Sequence, residues 1–500
     1  MIITGLILLS AIAILTWGFL RARPYGKIGL LSWLQSAVLM VPWLLFFALF
    51  ALGIYINLAG VLLLLLASVA LYIFLGRKLR ELGQDYTAKR AAAMISEDTP
   101  EGSSTEGPST GSEPESPATE APVTELDSLT VTIPQEDLTQ IEGIFGLDTY
   151  FRTETVPYQD GVIFRGNLRG DPITTHAQLS QALQECLGTK YRLFLVENAE
   201  GKPTVVILPE TVEPPKVTPG QRVLAAVLGV VTFLTCMEAA GILQEFDLFR
   251  TPSRWPEALP FALGIYAILM AHEFGHWFTA QRYDIQLSPP FFLPAWEIGA
   301  FGALTRFESL LPNRNVLFDI AIAGPAAGGL ASITLLLTGL LLSHPGSFFQ
   351  IPSNLFQSSV LVGFLARAVL GNALQEPLVD IHPLTVIGWL GLVITAINLL
   401  PAGQLDGGRI VQAVYGRKIA GRATVITLIL LALVSLANPL ALYWAALILV
   451  LQRNLERPCL NDLIEPDDAR AALGLLALFL TLATLMPLTP SLAGRLGIGA

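Results

Sequence analysis

Charge is scarce in this sequence. Asp, Glu, Lys and Arg make up 14% of its 500 residues, where soluble domains carry about 25%. A soluble globular class is therefore excluded for most of the chain. Basic residues are the minority sign, 30 against 40 acidic, for a net charge of −10. No basic stripe is available for nucleic acid, so that class of partner is excluded too. Cysteine is nearly absent. Cys186, Cys236 and Cys459 are odd in number and far apart, which excludes a disulfide framework and a cysteine metal site. No repeat of 20–50 residues is visible, which removes solenoids and propellers.

Long apolar runs fill the space that charge leaves, at 53% hydrophobic residues. A helix needs about 20 such residues to cross the hydrocarbon core. Ten segments qualify: 1–20, 29–51, 54–75, 222–243, 257–280, 316–342, 384–402, 422–437, 439–452 and 469–487. Asn438-Pro439 splits the eighth from the ninth. The run 358–371 is interrupted by Arg367 and reads as an interfacial helix. The expected fold class is a multi-pass α-helical membrane protein of about ten spans with a small cytoplasmic α+β domain.

The first run lacks basic residues ahead of its apolar core and reads as a retained span rather than a cleaved signal. No plastid-type transit peptide precedes it, which points to a bacterial chain. Loop charges set the orientation. Arg21, Arg23 and Lys27 follow the first span, and Arg77, Lys78, Arg80, Lys89 and Arg90 follow the third. Arg409, Arg417, Lys418 and Arg422 precede the eighth, and Arg453 and Arg457 follow the ninth. All fall on one face, and the opposite loops hold only Arg250, Arg254, Arg367 and Arg495. The polar region between spans three and four is thus expected in the cytoplasm, with a plasma or thylakoid-type membrane as the host bilayer.

That region has two parts. Residues 96–127 hold nine acidic residues, no basic ones, and much Ser, Thr, Pro and Gly. Such a stretch cannot bury enough apolar surface to fold and reads as a disordered linker. Residues 128–215 read as a small α+β domain. Helices are expected over 135–146 and 175–187, and strands over 191–197 and 203–209 with a turn at Glu200-Gly201. His176, at a helix start, reads as a surface residue.

The chemistry concentrates in His272-Glu273-Phe274-Gly275-His276, late in the run 257–280. Residues four apart share one helix face. Both imidazoles can then reach one Zn²⁺, with Glu273 beside them to take a proton from water. Ionisable groups in a bilayer cost roughly 2.5–3.5 kcal/mol each on insertion scales. Three within five residues require a compensating partner, and a metal in a wet cavity supplies one. A catalytic zinc needs a third protein ligand and an open position. Asp406 is the candidate, a lone carboxylate in Asn398-Leu-Leu-Pro401-Ala-Gly-Gln-Leu405-Asp406-Gly407-Gly408-Arg409. Pro401 ends the preceding helix and the glycines permit close backbone approach.

These two motifs together resemble the site-2 proteases, intramembrane zinc metalloproteases. The resemblance covers about 222–452. It implies that His272, His276 and Asp406 bind zinc and that Glu273 is the catalytic base. It also implies that Asn398 contacts substrate or transition state, and that the active site lies toward the cytosol. Gly166-Asn167-Leu168-Arg169-Gly170 and Gly371-Asn372-Ala373-Leu374-Gln375 are similar to the cyanobacterial and plastid branch. That branch includes the ethylene-dependent gravitropism-deficient and yellow-green proteases of plants. No PDZ-like domain lies between the zinc motifs, a departure from many relatives.

The expected organisation is then a three-helix membrane segment (1–76), a basic juxtamembrane stretch with the acidic linker (77–127), the soluble domain (128–215), the protease core (222–452), and a C-terminal loop with the last helix (453–500). The expected activity is hydrolysis of peptide bonds of transmembrane proteins within or near the bilayer. Two other readings use the same residues. One is a proteolytically inactive membrane chaperone or adaptor. The other is a metal or proton transporter, though no repeated halves are visible. Ala323 to Gly329 reads as a close-packing helix segment or a wall beside the site. Ser288 to Leu311 reads as a surface loop or as a membrane-dipping strand able to pair with an unwound substrate. His344 and His382 read as interfacial residues.

Overall fold

The computed structural model describes residues 26–51 and 133–499, apart from 159–160, 199, 437 and 453, with a few further residues between 15 and 79. The expected spans 1–20 and 54–75 and the linker 77–127 lie wholly or largely outside the described residues. Two compact units result, Met1–Thr124 with Leu431–Tyr443, and Glu125–Leu430 with Trp444–Ala500. The first unit contains an apolar helix, α1 (Gly26–Ala51).

The second unit begins with the small domain. Helix α2 (Gln135–Gly143) leads into strands β1 (Tyr150–Tyr158) and β2 (Gly161–Leu168), then helix α3 (Pro172–Leu187) and strands β3 (Tyr191–Glu197) and β4 (Pro203–Pro209). Asp171 caps α3 by accepting hydrogen bonds from the N–H groups of Ile173 and Thr174, with Pro172 at the first helical position. The sheet order is β1-β2-β4-β3, antiparallel throughout. One face is covered by the helices over Tyr150, Phe164, Leu179, Leu195 and Ile207, all fully buried. β3 and β4 have the expected bounds. β1 and β2 were not expected, because Arg152, Glu154 and Pro157 interrupt the apolar alternation. His176 is half-buried rather than on the surface, its ring against the Leu193 carbonyl.

The helical core follows. It comprises α4 (Pro219–Leu243), α5 (Trp255–Arg282), hairpin strands β5 (Phe291–Ala295) and β6 (Gly299–Leu304), and α6 (Arg314–Leu342). Then come β7 (Phe349–Pro352), α7 (Val360–Leu370), β8 (Leu378–Ile381), α8 (Pro383–Asn398), α9 (Asp406–Val434), α10 (Pro439–Leu447), α11 (Asp468–Leu485) and α12 (Pro490–Leu496), the stretch Leu431–Tyr443 of α9 and α10 counting with the first unit. A Thr218–Gln221 capping box starts α4. Among the described residues, the helices ending at Leu243, Arg282, Leu342 and Leu485 are long and apolar enough to cross a membrane. Helix α4 keeps Val223, Leu224, Val227 and Val230 exposed, as a lipid-facing surface requires.

Three expected spans take other forms. Helix α8 stops at Asn398 after 16 residues, about 24 Å of rise. It packs among α5, α6 and α11, so protein rather than lipid covers it. The eighth expected span is the second part of α9, which begins at Asp406 and kinks at Gly416 (φ 78°). The ninth is α10 followed by one π-helical turn, Ile448–Gln452. The run around Arg367 forms the short α7, burying only Val362, Gly363 and Ala366. The region Ser288–Leu311 contains the β5–β6 hairpin, paired from Phe291↔Leu304 to Ala295↔Gly299.

Candidate metal centre

Helix α5 sorts its residues by face. His272, Glu273 and His276 point inward and are 8%, 8% and 3% exposed, while Phe274, Trp277 and Phe278 on the other side remain exposed. The four-residue spacing brings Nε2 of His272 within 3.2 Å of Nε2 of His276. Small residues on α6 make this possible. A methyl group on Gly324 would collide with the His276 ring, and one on Gly328 would stand 3.0 Å from Cβ of His272. The Ala323–Gly329 segment is therefore both a close-packing element and the wall of the site.

Asp406 arrives from the opposite direction. Helix α8 ends at Asn398, and Pro401 turns the chain back on itself. Gly407 and Gly408 then pack directly on the Leu399 and Ala402 carbonyls, where no side chain fits. This tight return sets Asp406 at the start of α9, buried at 7% exposure. Its Oδ2 lies 3.0 Å from His272 Nε2 and its Oδ1 3.4 Å from His276 Nε2.

The tautomers decide what this triangle is for. His276 Nδ1 lies 2.8 Å from the Ile320 carbonyl, an acceptor, so Nδ1 carries the proton. In the neutral ring, Nε2 of His276 is then the lone pair that faces the carboxylate, the atom that can bind a metal. A neutral imidazole and an ionised carboxylate at 3.4 Å face each other as acceptors, an arrangement that either a proton or a metal ion between them relieves. A tetrahedral zinc with ligands at about 2.0–2.2 Å has ligand–ligand edges of roughly 3.3–3.5 Å. The imidazole nitrogens lie 3.2 Å apart, with Asp406 Oδ2 3.0 Å from one and Oδ1 3.4 Å from the other, close to those edges, and two imidazoles with a carboxylate are a donor set that fits zinc.

Glu273 is the fourth polar group, its carboxylate within 4.8 Å of both imidazole nitrogens. Distance alone makes it an alternative ligand, but Asp406 is nearer and Glu273 has another partner. Thr305, just past β6, donates its hydroxyl to Glu273 Oε2 at 2.7 Å.

Comparison with known proteins fits this geometry. The model described as peptidase family M50 matches residues 260–437, and that described as EGY3 middle domain matches 139–215. "Probable zinc metalloprotease EGY1, chloroplastic" of Arabidopsis thaliana is 38% identical over 396 residues, covering 72% of each chain. Its counterpart from Oryza sativa subsp. japonica is 38% identical over 397 residues, covering 72% of this chain and 68% of the relative. The chain belongs to peptidase family M50. It lies in the branch of the EGY proteins, as the two sequence motifs implied. A third relative, "Probable zinc metallopeptidase EGY3, chloroplastic" of Arabidopsis thaliana, is 31% identical over 72% of this chain and 67% of its own length. No solved structure matches the chain.

In this M50 chain the remaining candidates fall out as follows. Asn398 lines the same small cavity as Glu273, His276 and Asp406. Its amide is already spent, with Nδ2 donating to the carbonyls of Phe301 (2.9 Å) and Ile394 (2.8 Å). Gly302 (φ 116°) leaves the space for it, since a side chain there would strike Asn398. His344 and His382 lie apart from the site and make local contacts, His382 accepting from the Leu384 N–H at 3.3 Å. Thr305 and Glu456 carried no mark in the sequence, and Arg409, counted there as a loop charge, is buried at 6% exposure. Arg409 Nε meets Glu456 at 3.1 Å with both buried, and another Arg409 nitrogen donates to the Thr305 carbonyl at 2.7 Å. The available signal was position: Arg409 sits three residues after Asp406 on one helix face.

Proposed function

We propose that this chain hydrolyses peptide bonds of membrane proteins within or near the bilayer, with His272, His276 and Asp406 holding zinc and Glu273 moving the proton. The observation that carries this reading is the convergence of the His272 and His276 Nε2 atoms and the two Asp406 oxygens at 3.0–3.4 Å. A bound zinc supplies Lewis acidity and lowers the pKa of water toward about 7. Glu273 accepts the proton of the attacking water and returns it to the leaving amine. Thr305 holds that carboxylate in one orientation through its 2.7 Å hydrogen bond. Asn398 has only its carbonyl oxygen left to offer, so its substrate contact is as an acceptor. The cavity among these groups is about 10 Å³, room for a single water. A helical substrate must unwind before it enters, because its carbonyls are already bonded.

The topology proposed is ten crossings, with the 128–215 domain and the zinc site toward the cytoplasm. Its support is the bias of Lys and Arg to one set of loops. The 1–76, 77–127, 222–452 and 453–500 divisions are proposed on the same pattern. Substrates are proposed to be transmembrane proteins. Glu273→Gln is the deciding variant. It is expected to keep zinc and to stop cleavage of a co-expressed single-span protein, and full activity would defeat the assignment. Cysteine labelling of loops at 128–215 and 250–254 from each side tests the orientation.

A further inference from the structure

We infer that Gln452 supplies the hydrogen-bond donor that grips the scissile peptide's carbonyl oxygen, an inference that rests on the protease reading above. The carboxamide of Gln452 lines the cavity that Glu273, His276, Asn398 and Asp406 also line. Gln452 is 8% exposed, and its side-chain oxygen is buried without a hydrogen-bond partner. A buried carboxamide oxygen left unpaired is costly, and the group's oxygen and nitrogen exchange places by a simple flip. The group is thus free to turn its N–H toward a ligand.

The other donors around the cavity are committed. Asn398 spends both amide hydrogens on the Phe301 and Ile394 carbonyls. Thr305 spends its hydroxyl on Glu273. Arg409 gives two nitrogens to Glu456 and the Thr305 carbonyl, and its third faces Asp406 Oδ1 at 3.9 Å, tied to that carboxylate by charge. Gln404 also lines this cavity, but it is half-buried and borders a second, outer cavity as well. An acyl-transfer site needs a preorganised donor where negative charge develops on the carbonyl oxygen.

The placement of Gln452 is built rather than incidental. Its backbone carbonyl accepts from the Gln404 N–H at 3.0 Å, which registers it against the loop that delivers Asp406. It closes the π-helical turn Ile448–Gln452, a local distortion common at functional sites. Upstream, Trp444 stacks on Phe301 of β6 with ring centroids 5.1 Å apart, fixing this segment to the hairpin.

The test uses the full chain in detergent with an unstructured peptide substrate, and a phosphonate peptide as transition-state mimic. Gln452→Met keeps the side-chain length and removes both polar atoms. The expected result is unchanged zinc content, a kcat lowered by about 10²–10³-fold with KM nearly constant, and a comparable loss of phosphonate binding. Gln452→Asn, whose donor stops one methylene short, is expected to fall between. Wild-type turnover and phosphonate affinity in a zinc-replete Gln452→Met variant would overturn the role, as would a loss that follows Gln404→Met instead. If Gln452→Met fails to assemble, Gln452→Asn with wild-type kcat and phosphonate affinity also overturns it. A zinc-loaded wild type that cleaves no peptide would overturn the protease reading and this inference together, an outcome distinct from the others.

Discussion

Thr305 and Glu273 lie on different elements, yet the Thr305 hydroxyl donates to Glu273 Oε2 at 2.7 Å. The Thr305 backbone is in turn fixed by Arg409, three residues from Asp406, through a 2.7 Å bond to its carbonyl. Glu273 on α5 and Asp406 on α9 are therefore tied through one residue past β6. A hydrogen bond to a charged group contributes about 1.5–3 kcal/mol. Thr305→Val is expected to lower kcat by roughly 10–150-fold with zinc content unchanged, and Thr305→Ser to stay near wild type. Steady-state cleavage alongside elemental analysis checks both.

The Arg409–Glu456 pair predicts a stability effect. Both side chains are under 10% exposed, at 3.1 Å. Removing one partner of a buried pair costs about 3–5 kcal/mol, because the other charge is stranded. Glu456→Ala should unfold at markedly lower denaturant than wild type, while Arg409→Met with Glu456→Leu should recover much of the loss. A double variant no more stable than Glu456→Ala would count against the pairing.

Gly324 predicts a metal effect with His272, His276 and Asp406 all left in place. A methyl there meets the His276 ring, and one on Gly328 meets His272 less closely. Gly324→Ala is expected to lose most bound zinc and Gly328→Ala to lose less. Equal zinc content in the two variants would contradict this packing.

The small domain is held to the core by a strap. Leu195 on the edge strand β3 donates to the Leu460 carbonyl at 2.7 Å and accepts from Asp462 N–H at 2.9 Å. The Asn461 side chain adds a 2.9 Å bond to the Pro172 carbonyl. Asn461→Ala should raise hydrogen exchange at 193–197 and 458–463 and cost on the order of 1 kcal/mol. Unchanged exchange there would mean that the side chain does not hold the strap.

Local pattern explains what was legible in the sequence. The four-residue spacing of His272 and His276 fixes one helix face whatever surrounds it, and Pro401 with the paired glycines marks a sharp return before Asp406. Both expectations hold as geometry: the three side chains meet. The edges of the membrane helices were less legible. Helix α8 runs short because packing by α5, α6 and α11 replaces lipid, and hydropathy reads the two alike. Strands β1 and β2 were hidden by polar residues that an exposed sheet face tolerates. Thr305, Glu456 and Gln452 carry no local signal, since each acquires its partners only when distant segments pack.

On the proposed reading, two imidazoles of α5 and the first carboxylate of α9 hold one metal ion while Glu273 does the proton work. Zinc stoichiometry measured with cleavage on wild type, Glu273→Gln and Asp406→Ala tests it most directly. About one zinc per chain is expected in the first two, little in the third, and cleavage in wild type alone. Full zinc in Asp406→Ala, or full activity in Glu273→Gln, would contradict it.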